Sequence, residues 1–347
     1  MNVVMVSPVR MNPYVNLLAQ ALEQVEADVT CSFEEALTPA VVAHWRGRAD
    51  VLHMHWVELY YRSSSLTGSA RKLATFLLAL MQARRAGISL VYTAHNVHRH
   101  DDGTYLDLVA DALLYRLVDA VHVHDAEAQA QLILHHRPRR IAVIAHGNYV
   151  GVYPDTCTRE DARQRFGFAL NDTVFLALGQ IRPYKGLDDL IVAFRRLEGR
   201  NLRLLIAGHP HDKTYGESLA KQCKGDERIR LDLRYVPDDE LQYYLRAADI
   251  CVLPYRSATT SGAAILAFSF GVPIIAPDRG PFPLLVTDES GLLYSAQPGA
   301  LQKALAVATR LDLKRAGAAA LAVAATLDWQ TIARRHLDVY KGLIRQR

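Results

Sequence analysis

Short runs of β-branched and other apolar residues alternate along the chain with longer stretches whose apolar positions recur at helical spacing. This alternation is typical of domains in which helices cover both faces of a parallel sheet. In the first half the pattern predicts strands at 3–6, 51–55, 89–93, 120–124 and 141–144. In the second half it predicts strands at 174–178, 203–207, 229–233, 250–253 and 273–276. The fold class is therefore α/β, with doubly wound parallel sheets.

The chain is too long for one hydrophobic core, because its 347 residues exceed the usual size of a single domain. The strand and helix pattern breaks at Tyr153-Pro154-Asp155 and begins again with a helix at 159–166. We therefore expect a first domain over residues 1–155, a second over 156–327, and a last helix within 328–347. Two such domains facing each other across a cleft are the simplest arrangement.

Composition excludes several classes of protein. A net charge of +4 without a basic tail argues against a nucleic-acid partner. Four cysteines that stand far apart favour a reducing, cytoplasmic setting. The first residues predict a buried strand and not a signal peptide, and no apolar run is long enough to cross a membrane. The helix at 69–86 has basic ends and an apolar middle. It either packs on its own sheet or makes a peripheral contact with a membrane.

Two segments of the second half suit an anion, because open α/β sheets bind ligands beyond the carboxyl ends of their strands. Gly179 follows a predicted strand, and Arg182 and Lys185 come just before the next helix. A glycine allows close approach of the backbone, and the two cations and the helix start would favour a phosphate. An ordinary loop with two solvated basic residues is the alternative.

The second segment is Thr260-Ser261-Gly262, at the start of a helix that follows another strand. Hydroxyl groups at a helix start cap it and leave backbone N–H groups available to an anion. A simple N-cap explains the same residues. Two such helix starts in one domain favour a diphosphate more than either alone.

These segments, with Phe270-Gly271-Val272-Pro273 and Ser290-Gly291-Leu292, resemble the donor domain of GT-B glycosyltransferases of family 4. The resemblance covers about residues 174–345. It implies two Rossmann-like domains and a nucleotide-sugar donor. It also implies that the last helix crosses back to the first domain. By resemblance, Gly179, Arg182, Lys185, Thr260, Ser261 and Gly262 bind the donor.

The chain departs from family 4 at three positions that usually carry glutamate. Ala258, Leu266 and Leu284 occupy them here. Either the donor is held differently here, or the chain belongs to a divergent branch, and the resemblance leaves the anomeric outcome open. The first half is closer to enzymes that add sugars to lipid-diphosphate oligosaccharides in bacterial exopolysaccharide assembly, through segments around His55-Trp56 and His95-Asn96.

Polar residues follow the predicted strands of the first half, which holds eleven of the fourteen histidines. Sugar transfer needs a group that takes the proton of the acceptor hydroxyl. Asp101 and Glu58 are the candidate bases, and His95 is a candidate hydrogen-bond donor. The remaining candidates, all expected to bind the acceptor, are His55, Trp56, Asn96 and His100. Each histidine taken alone can equally serve only to satisfy a loop or a helix end.

No metal and no cofactor are expected. The histidines between 95 and 100 do not have the spacing of a zinc site, and no DxD motif stands where a metal-dependent transferase would need it. The expected partners are a nucleotide-sugar donor, with GDP-mannose first, and a glycan or lipid-diphosphate-linked acceptor. A UDP-sugar donor, a GT-B epimerase, a sugar phosphorylase and a sugar-binding protein without transferase activity are the alternatives.

Overall fold

The computed structural model describes residues 1–9, 12–95, 104–258 and 260–346. The chain forms two compact units. The N-terminal unit comprises Met1–Gly147 and Leu327–Arg347, and the C-terminal unit comprises Asn148–Thr326. The sequence pattern placed the boundary after residue 155, where the regular alternation of strands and helices breaks. In the structure, residue contacts within each unit place the boundary between Gly147 and Asn148, before the predicted one and directly after His146.

The N-terminal unit is built from six strands and the helices that connect them. Its elements are β1 (Asn2–Val6), α1 (Tyr14–Val25), β2 (Thr30–Glu34), α2 (Pro39–Trp45), β3 (Val51–His55), α3 (Glu58–Tyr61), α4 (Leu66–Arg85), β4 (Ser89–Thr93), α5 (Tyr105–Leu117), β5 (Ala120–Val123), α6 (Ala126–His135) and β6 (Ile141–Val143). The strands form one parallel sheet in the order β2-β1-β3-β4-β5-β6.

The C-terminal unit repeats the same architecture. Its elements are α7 (Arg159–Phe166), β7 (Thr173–Leu178), α8 (Leu187–Arg195), β8 (Leu202–Ala207), α9 (Lys213–Cys223), β9 (Ile229–Asp232), α10 (Leu241–Ala247), β10 (Ile250–Val252), α11 (Gly262–Ser269), β11 (Ile274–Pro277), α12 (Phe282–Leu285), β12 (Gly291–Tyr294), α13 (Ala300–Ala308) and α14 (Leu313–Thr326). Its parallel sheet has the order β12-β11-β10-β7-β8-β9. The chain therefore changes direction across the sheet between β7 and β10, which is where such sheets bind ligands.

The α/β fold class predicted from the sequence is confirmed, with two six-stranded parallel sheets among the described residues. The pattern predicted five strands in each half and missed β2 and β12. Both lie at an outer edge of their sheet, and their residues are only partly buried. Interior strands such as β3 and β4 are buried at every position and therefore stand out as short apolar runs.

The last helix, α15 (Trp329–Ile344), packs against α1 in the N-terminal unit. Ile332, Leu337 and Tyr340 on one of its faces are buried in the same core as β1 and α1. Asp328 caps the helix by accepting a hydrogen bond from the N–H of Thr331 at 2.8 Å. The apolar stripe of α15 is therefore used for packing within this unit.

The helix with basic ends is α4, and its apolar stripe also faces the core. Leu73, Phe76 and Leu80 are buried, whereas Leu66 and Leu78 remain exposed. Packing on its own sheet therefore accounts for most of the apolar residues that a membrane contact would use. Within the described ranges, no helix is long and apolar enough to cross a bilayer.

Candidate active site

Gly179, Arg182, Lys185 and Tyr255 surround the carboxyl ends of β7 and β10, and we call them the lysine corner. Gly179 has a φ of 119°, and a Cβ at this position would lie 3.2 Å from the Nζ of Lys185. The same Nζ lies 5.3 Å from the centre of the Tyr255 ring, within reach of a cation–π interaction. The ammonium group is thus placed beside the backbone of Gly179, between β7 and β10, where the strand order of the sheet changes direction.

The main chain on both sides of the corner is fixed by a close approach. Gly186 has a φ of 63°, and a Cβ there would come within 2.2 Å of the carbonyl oxygen of Pro254. The N–H of Arg256 donates to the carbonyl of Tyr184 at 2.7 Å, and its guanidinium donates to Asp188 at 2.6 Å. The loops that follow β7 and β10 are therefore held against each other.

Burial, and after it the positive charge of Arg182, together lower the pKa of Lys185 to about 8. The Nε of Arg182 donates to the side chain of Gln180 at 3.0 Å. Two cations that repel each other at a strand end are stabilised by any anion that binds between them. The corner therefore has the positive charge that a phosphate group requires.

The start of α11 is the second predicted anion site. Ser261 is buried, and its hydroxyl accepts a hydrogen bond from the N–H of Ala264 at 3.2 Å. Its side chain therefore caps the helix, as the simpler interpretation predicted. Thr260 and Gly262, on either side of it, are partly buried. The first turn contains no acidic residue, so the positive end of the helix dipole is not compensated there.

The three positions where family 4 usually has glutamate carry apolar residues in this chain. Leu266 and Ala258 are partly buried, and both pack against the core of the C-terminal unit. Leu284 is 67% exposed. None of the three places a carboxylate near the start of α11.

In the N-terminal unit, four histidines follow consecutive strands of the sheet. His55, His95, His124 and His146 stand at the ends of β3, β4, β5 and β6, and we call them the histidine edge. Their rings surround that of Tyr14, at centroid distances of 5.8, 4.9, 5.5 and 4.8 Å respectively. The structure thus brings together His55 and His95, which the sequence singled out, with Tyr14 and His146, which it did not. The position of His146 after the predicted strand at 141–144 is a signal that could have found it.

Trp56 is the only residue other than glycine with a positive φ in the described part of the chain, at 47°. Its ring stacks on that of His95, with the centroids 4.0 Å apart and the planes within 3° of parallel. A bulky aromatic residue in this conformation costs on the order of 1–3 kcal/mol, and such strain concentrates at binding and catalytic sites. Trp56 was predicted to contact the acceptor, and its conformation supports a role in binding.

The hydrogen bonds of the histidine edge determine which nitrogens carry protons. The carbonyl of Ile144 can only accept, so the Nδ1 of His124, 3.4 Å away, donates to it. The Nε2 of His124 then accepts from the Nδ1 of His95 at 3.3 Å. The Nε2 of His95 in turn accepts from the Nδ1 of His55 at 3.1 Å. Both nitrogens of His95 are therefore engaged, and His95 can donate to a sugar only by giving up His124.

The histidines of this edge are neutral. Burial lowers the pKa of His55, His95 and His124 well below the usual value, and neighbouring histidines lower it further. Burial also lowers the pKa of His146, to about 4. A neutral imidazole can take part in the donor and acceptor order described above, whereas a charged one would break it.

The structure describes only one of the other acceptor-side candidates, Glu58. Glu58 is the first residue of α3, partly buried and two positions after Trp56. Asn96, His100 and Asp101 lie outside the described residues, so their predicted roles stay predictions.

A cavity of about 650 Å³ lies at the ends of β1 and β2, and sequence analysis did not find it. Its lining includes Ser7, Phe33, Glu34 and Glu35. Phe33 is 54% exposed, and Glu34 accepts a hydrogen bond from the indole N–H of Trp45 at 2.8 Å. An exposed aromatic ring beside carboxylates suits a sugar. The cavity was missed because β2, which carries Phe33 and Glu34, was missed.

Comparison with known proteins identifies the family. The sequence matches the model of glycosyl transferases group 1 over residues 158–317. The GDP-mannose:glycolipid 4-beta-D-mannosyltransferase of Xanthomonas campestris pv. campestris is 31% identical over 266 residues. This alignment covers 77% of the present chain and 70% of that relative.

Solved structures of similar fold span the entire chain. Sucrose-phosphate synthase from Thermosynechococcus elongatus gives a TM-score of 0.77 at 18% identity, covering 100% of both chains. Anabaena Alr3699/HepE in complex with UDP-glucose gives 0.75 at 18% identity, covering 99% of this chain and 100% of its own. At this identity both support the fold alone. The fold is GT-B, and the chain belongs to the group 1 glycosyltransferases.

Replacing Gly186 by alanine tests the contact that fixes the lysine corner. Gly167 has nearly the same φ, 70°, but nothing lies within 4 Å of a Cβ placed there. Both Gly167→Ala and Gly186→Ala carry the cost of a left-handed conformation, about 1–2 kcal/mol. We expect Gly186→Ala to lower the free energy of unfolding by at least about 1 kcal/mol more, measured by urea denaturation. Equal losses would show that the two loops do not pack as described.

The proton positions in the histidine edge can be measured by long-range ¹H–¹⁵N NMR of histidine-labelled protein near pH 7. We expect His55, His95 and His124 each to be neutral with the proton on Nδ1. Spectra of the His55→Gln, His95→Gln and His124→Gln variants assign the signals, and His44→Gln, at an exposed position, serves as the control. A proton on the Nε2 of His95, or a charged ring there, would contradict the order derived from the Ile144 carbonyl.

Proposed function

We propose that this glycosyltransferase moves a sugar from a nucleoside-diphosphate donor to a hydroxyl group of a glycan carried on a lipid diphosphate. The observation that carries the proposal is the lysine corner, which places two cations beside Gly179 at the direction change of the C-terminal sheet. GDP-mannose is the first donor to test, because a relative 31% identical to this chain is named for it. A UDP-sugar is the alternative donor, since the corner is suited to the diphosphate and not to a particular base.

The chemistry explains why a diphosphate needs such a corner. As the bond from the anomeric carbon to the phosphate oxygen breaks, the nucleoside diphosphate gains negative charge. Lys185 and Arg182 stabilise that charge directly, and the backbone N–H groups at the start of α11, with Thr260, Ser261 and Gly262, assist them. With these cations in place the transfer itself needs no divalent metal ion or cofactor at the donor diphosphate, and activity should not depend on added magnesium or manganese.

We assign acceptor binding to the N-terminal unit. Trp56 would stack on a sugar ring, and the cavity at Phe33 would hold a second one. His55 is fully buried and therefore acts through its hydrogen bond to His95. Asp101 and Glu58 are the proposed bases that take the proton of the acceptor hydroxyl, with Asn96 and His100 binding the acceptor beside them.

A lipid-linked acceptor would bring this enzyme to the cytoplasmic face of a membrane as a peripheral protein. The exposed side of α4, with Leu66 and Leu78 near Arg71 and Lys72, is the surface we propose for that contact.

The test is incubation of the protein with radiolabelled GDP-mannose or UDP-sugars and a bacterial glycolipid fraction. A transferase releases the nucleoside diphosphate and moves label to lipid. An epimerase converts the nucleotide sugar without acceptor, and a phosphorylase releases sugar phosphate only when inorganic phosphate is added. Absence of nucleotide release with every donor would contradict the proposal.

Removing either cation of the lysine corner should impair transfer. We expect Lys185→Ala and Arg182→Ala each to lower kcat/KM for the donor at least about tenfold, because a hydrogen bond to a charged group contributes roughly 1.5–3 kcal/mol. Lys213→Ala, at an exposed position of the same unit, is the matched control. Circular dichroism should show an unchanged fold in all three. Wild-type kcat/KM in both corner variants would exclude this site.

The pKa of Lys185 also predicts a pH dependence. Because this pKa is lowered to about 8, the ammonium is charged below that pH and loses its proton as the pH rises through it. We expect kcat/KM for the donor to fall above about pH 8, by up to tenfold per pH unit, since kcat/KM reports the free enzyme. Lys185→Arg keeps its charge and should remove this fall. A wild-type profile that stays flat to about pH 10 would contradict the role of Lys185.

The cavity at Phe33 can be tested through the acceptor. Phe33→Ala should raise KM for a glycolipid acceptor several-fold and leave kcat/KM for hydrolysis of the donor unchanged. Because the ring is exposed, the variant should change the stability by less than about 0.5 kcal/mol. Leu134→Ala, on the exposed side of α6, is the control. An unchanged KM for the acceptor would remove this cavity from the acceptor site.

A further inference from the structure

Three more histidines of the N-terminal unit form a second group next to the histidine edge. His53 stands on β3 and His122 on β5, each two residues before a member of the edge, and His336 stands on α15. All three are at most 1% exposed. One ring nitrogen from each lies within 4.8 Å of those of the other two. Interior positions of parallel strands are usually apolar, so three imidazoles at this place need a physical reason.

The outer nitrogens of two of these rings are held by the fold. The Nδ1 of His53 lies 2.6 Å from the hydroxyl of Tyr340, and the Nε2 of His122 donates to the carbonyl of Ile144 at 2.7 Å. Their other nitrogens both point to the hydroxyl of Thr93, at 2.7 and 2.9 Å. Histidines that bind a metal are held in this way, with the second nitrogen fixed by a hydroxyl, carbonyl or carboxylate.

The third ring supplies the observation that hydrogen bonding alone does not explain. The Nε2 of His336 is buried and has no hydrogen-bond partner among the described residues. Its ring lies 4.5 Å from that of His122 and 5.5 Å from that of His53, measured between centroids. A buried polar atom left without a partner costs roughly 1–3 kcal/mol. A metal ion bound by the lone pair of this nitrogen would remove that cost.

We propose that His53, His122 and His336 bind a zinc ion, with the Thr93 hydroxyl positioned to complete a four-coordinate site. Three imidazole nitrogens with a hydroxyl oxygen form a ligand set that zinc accepts. Zinc–nitrogen bonds of about 2.0–2.1 Å place the nitrogens about 3.4 Å apart. The three rings therefore move inward by ring rotation when the ion binds. His53 then carries its proton on Nδ1 and donates to Tyr340.

The ion would fasten α15 to the sheet. His336 and Tyr340 belong to this helix, whereas His53, Thr93 and His122 belong to three adjacent strands. The site lies one row beneath the histidine edge, so it would also hold β3 and β5 in the register that aligns His55 with His95 and His124. This role is structural, and it does not depend on the proposed donor or acceptor.

The first test measures the metal itself. Untagged protein, produced in medium containing zinc or cobalt, is analysed for bound metal by plasma mass spectrometry and by visible absorption. We expect about one ion per chain, with the ligand-field bands of tetrahedral cobalt. His336→Leu and His122→Gln should each lower the bound metal at least tenfold, whereas His44→Gln, at an exposed position, should not. Wild-type protein without bound metal, or metal that remains in both variants, overturns the proposal.

The second test measures stability and separates the two explanations of the cluster. If zinc binds, refolding wild-type protein with a chelator lowers Tm, and His336→Leu has a lower Tm than the zinc-loaded protein. If His53, His122 and His336 are held by hydrogen bonds alone, His336→Leu removes an unpaired nitrogen. The Tm then stays the same or rises, which contradicts a metal site. If His336→Leu does not fold, His336→Cys retains a ligand and should show an intense thiolate band with cobalt. Absence of this band overturns the proposal.

Discussion

The contact between the backbone of Gly186 and the carbonyl of Pro254 is the constraint on which the C-terminal unit depends for its chemistry. A side chain at residue 186 would come within 2.2 Å of that oxygen, so only glycine permits the loops after β7 and β10 to meet. Where they meet, Lys185 is directed toward Gly179 and over the ring of Tyr255. This position is unfavourable for the charged ammonium, because burial lowers the pKa of Lys185. An anion bound there would offset that cost, so the corner suits a leaving group that gains negative charge.

The N-terminal unit has the same architecture but places histidines, not a lysine, near the carboxyl ends of its strands. Its sheet replaces apolar residues by imidazoles in two rows near the carboxyl ends of the strands, and burial keeps these imidazoles neutral. The carbonyl of Ile144 accepts from both rows, through His122 and His124, and so fixes the order of donors and acceptors along each of them. Hydrogen bonds across neighbouring strands then hold His95, on whose ring Trp56 stacks.

Sequence reasoning predicted the interior strands, the two-domain organisation and the family, because buried strands are short apolar runs and the donor motifs are local. It missed the edge strands β2 and β12, although it predicted β6 and β9, which are also partly buried edge strands. With β2 it missed the cavity at Phe33. It singled out Lys185 as a candidate but not the reason for its position, since the contact of Gly186 with Pro254 joins residues far apart in sequence. Likewise, the engagement of both nitrogens of His95 depends on His55 and His124, which belong to two other strands.

The claim that Lys185 receives a diphosphate can be tested most directly by isothermal titration calorimetry of GDP and UDP in buffers of different ionisation enthalpy, near pH 8.5. A lysine with a lowered pKa that contacts a diphosphate takes up a proton on binding. We predict that the observed enthalpy depends on the buffer in wild-type protein and not in Lys185→Arg. Binding without proton uptake, or no binding of either nucleotide, would contradict the account.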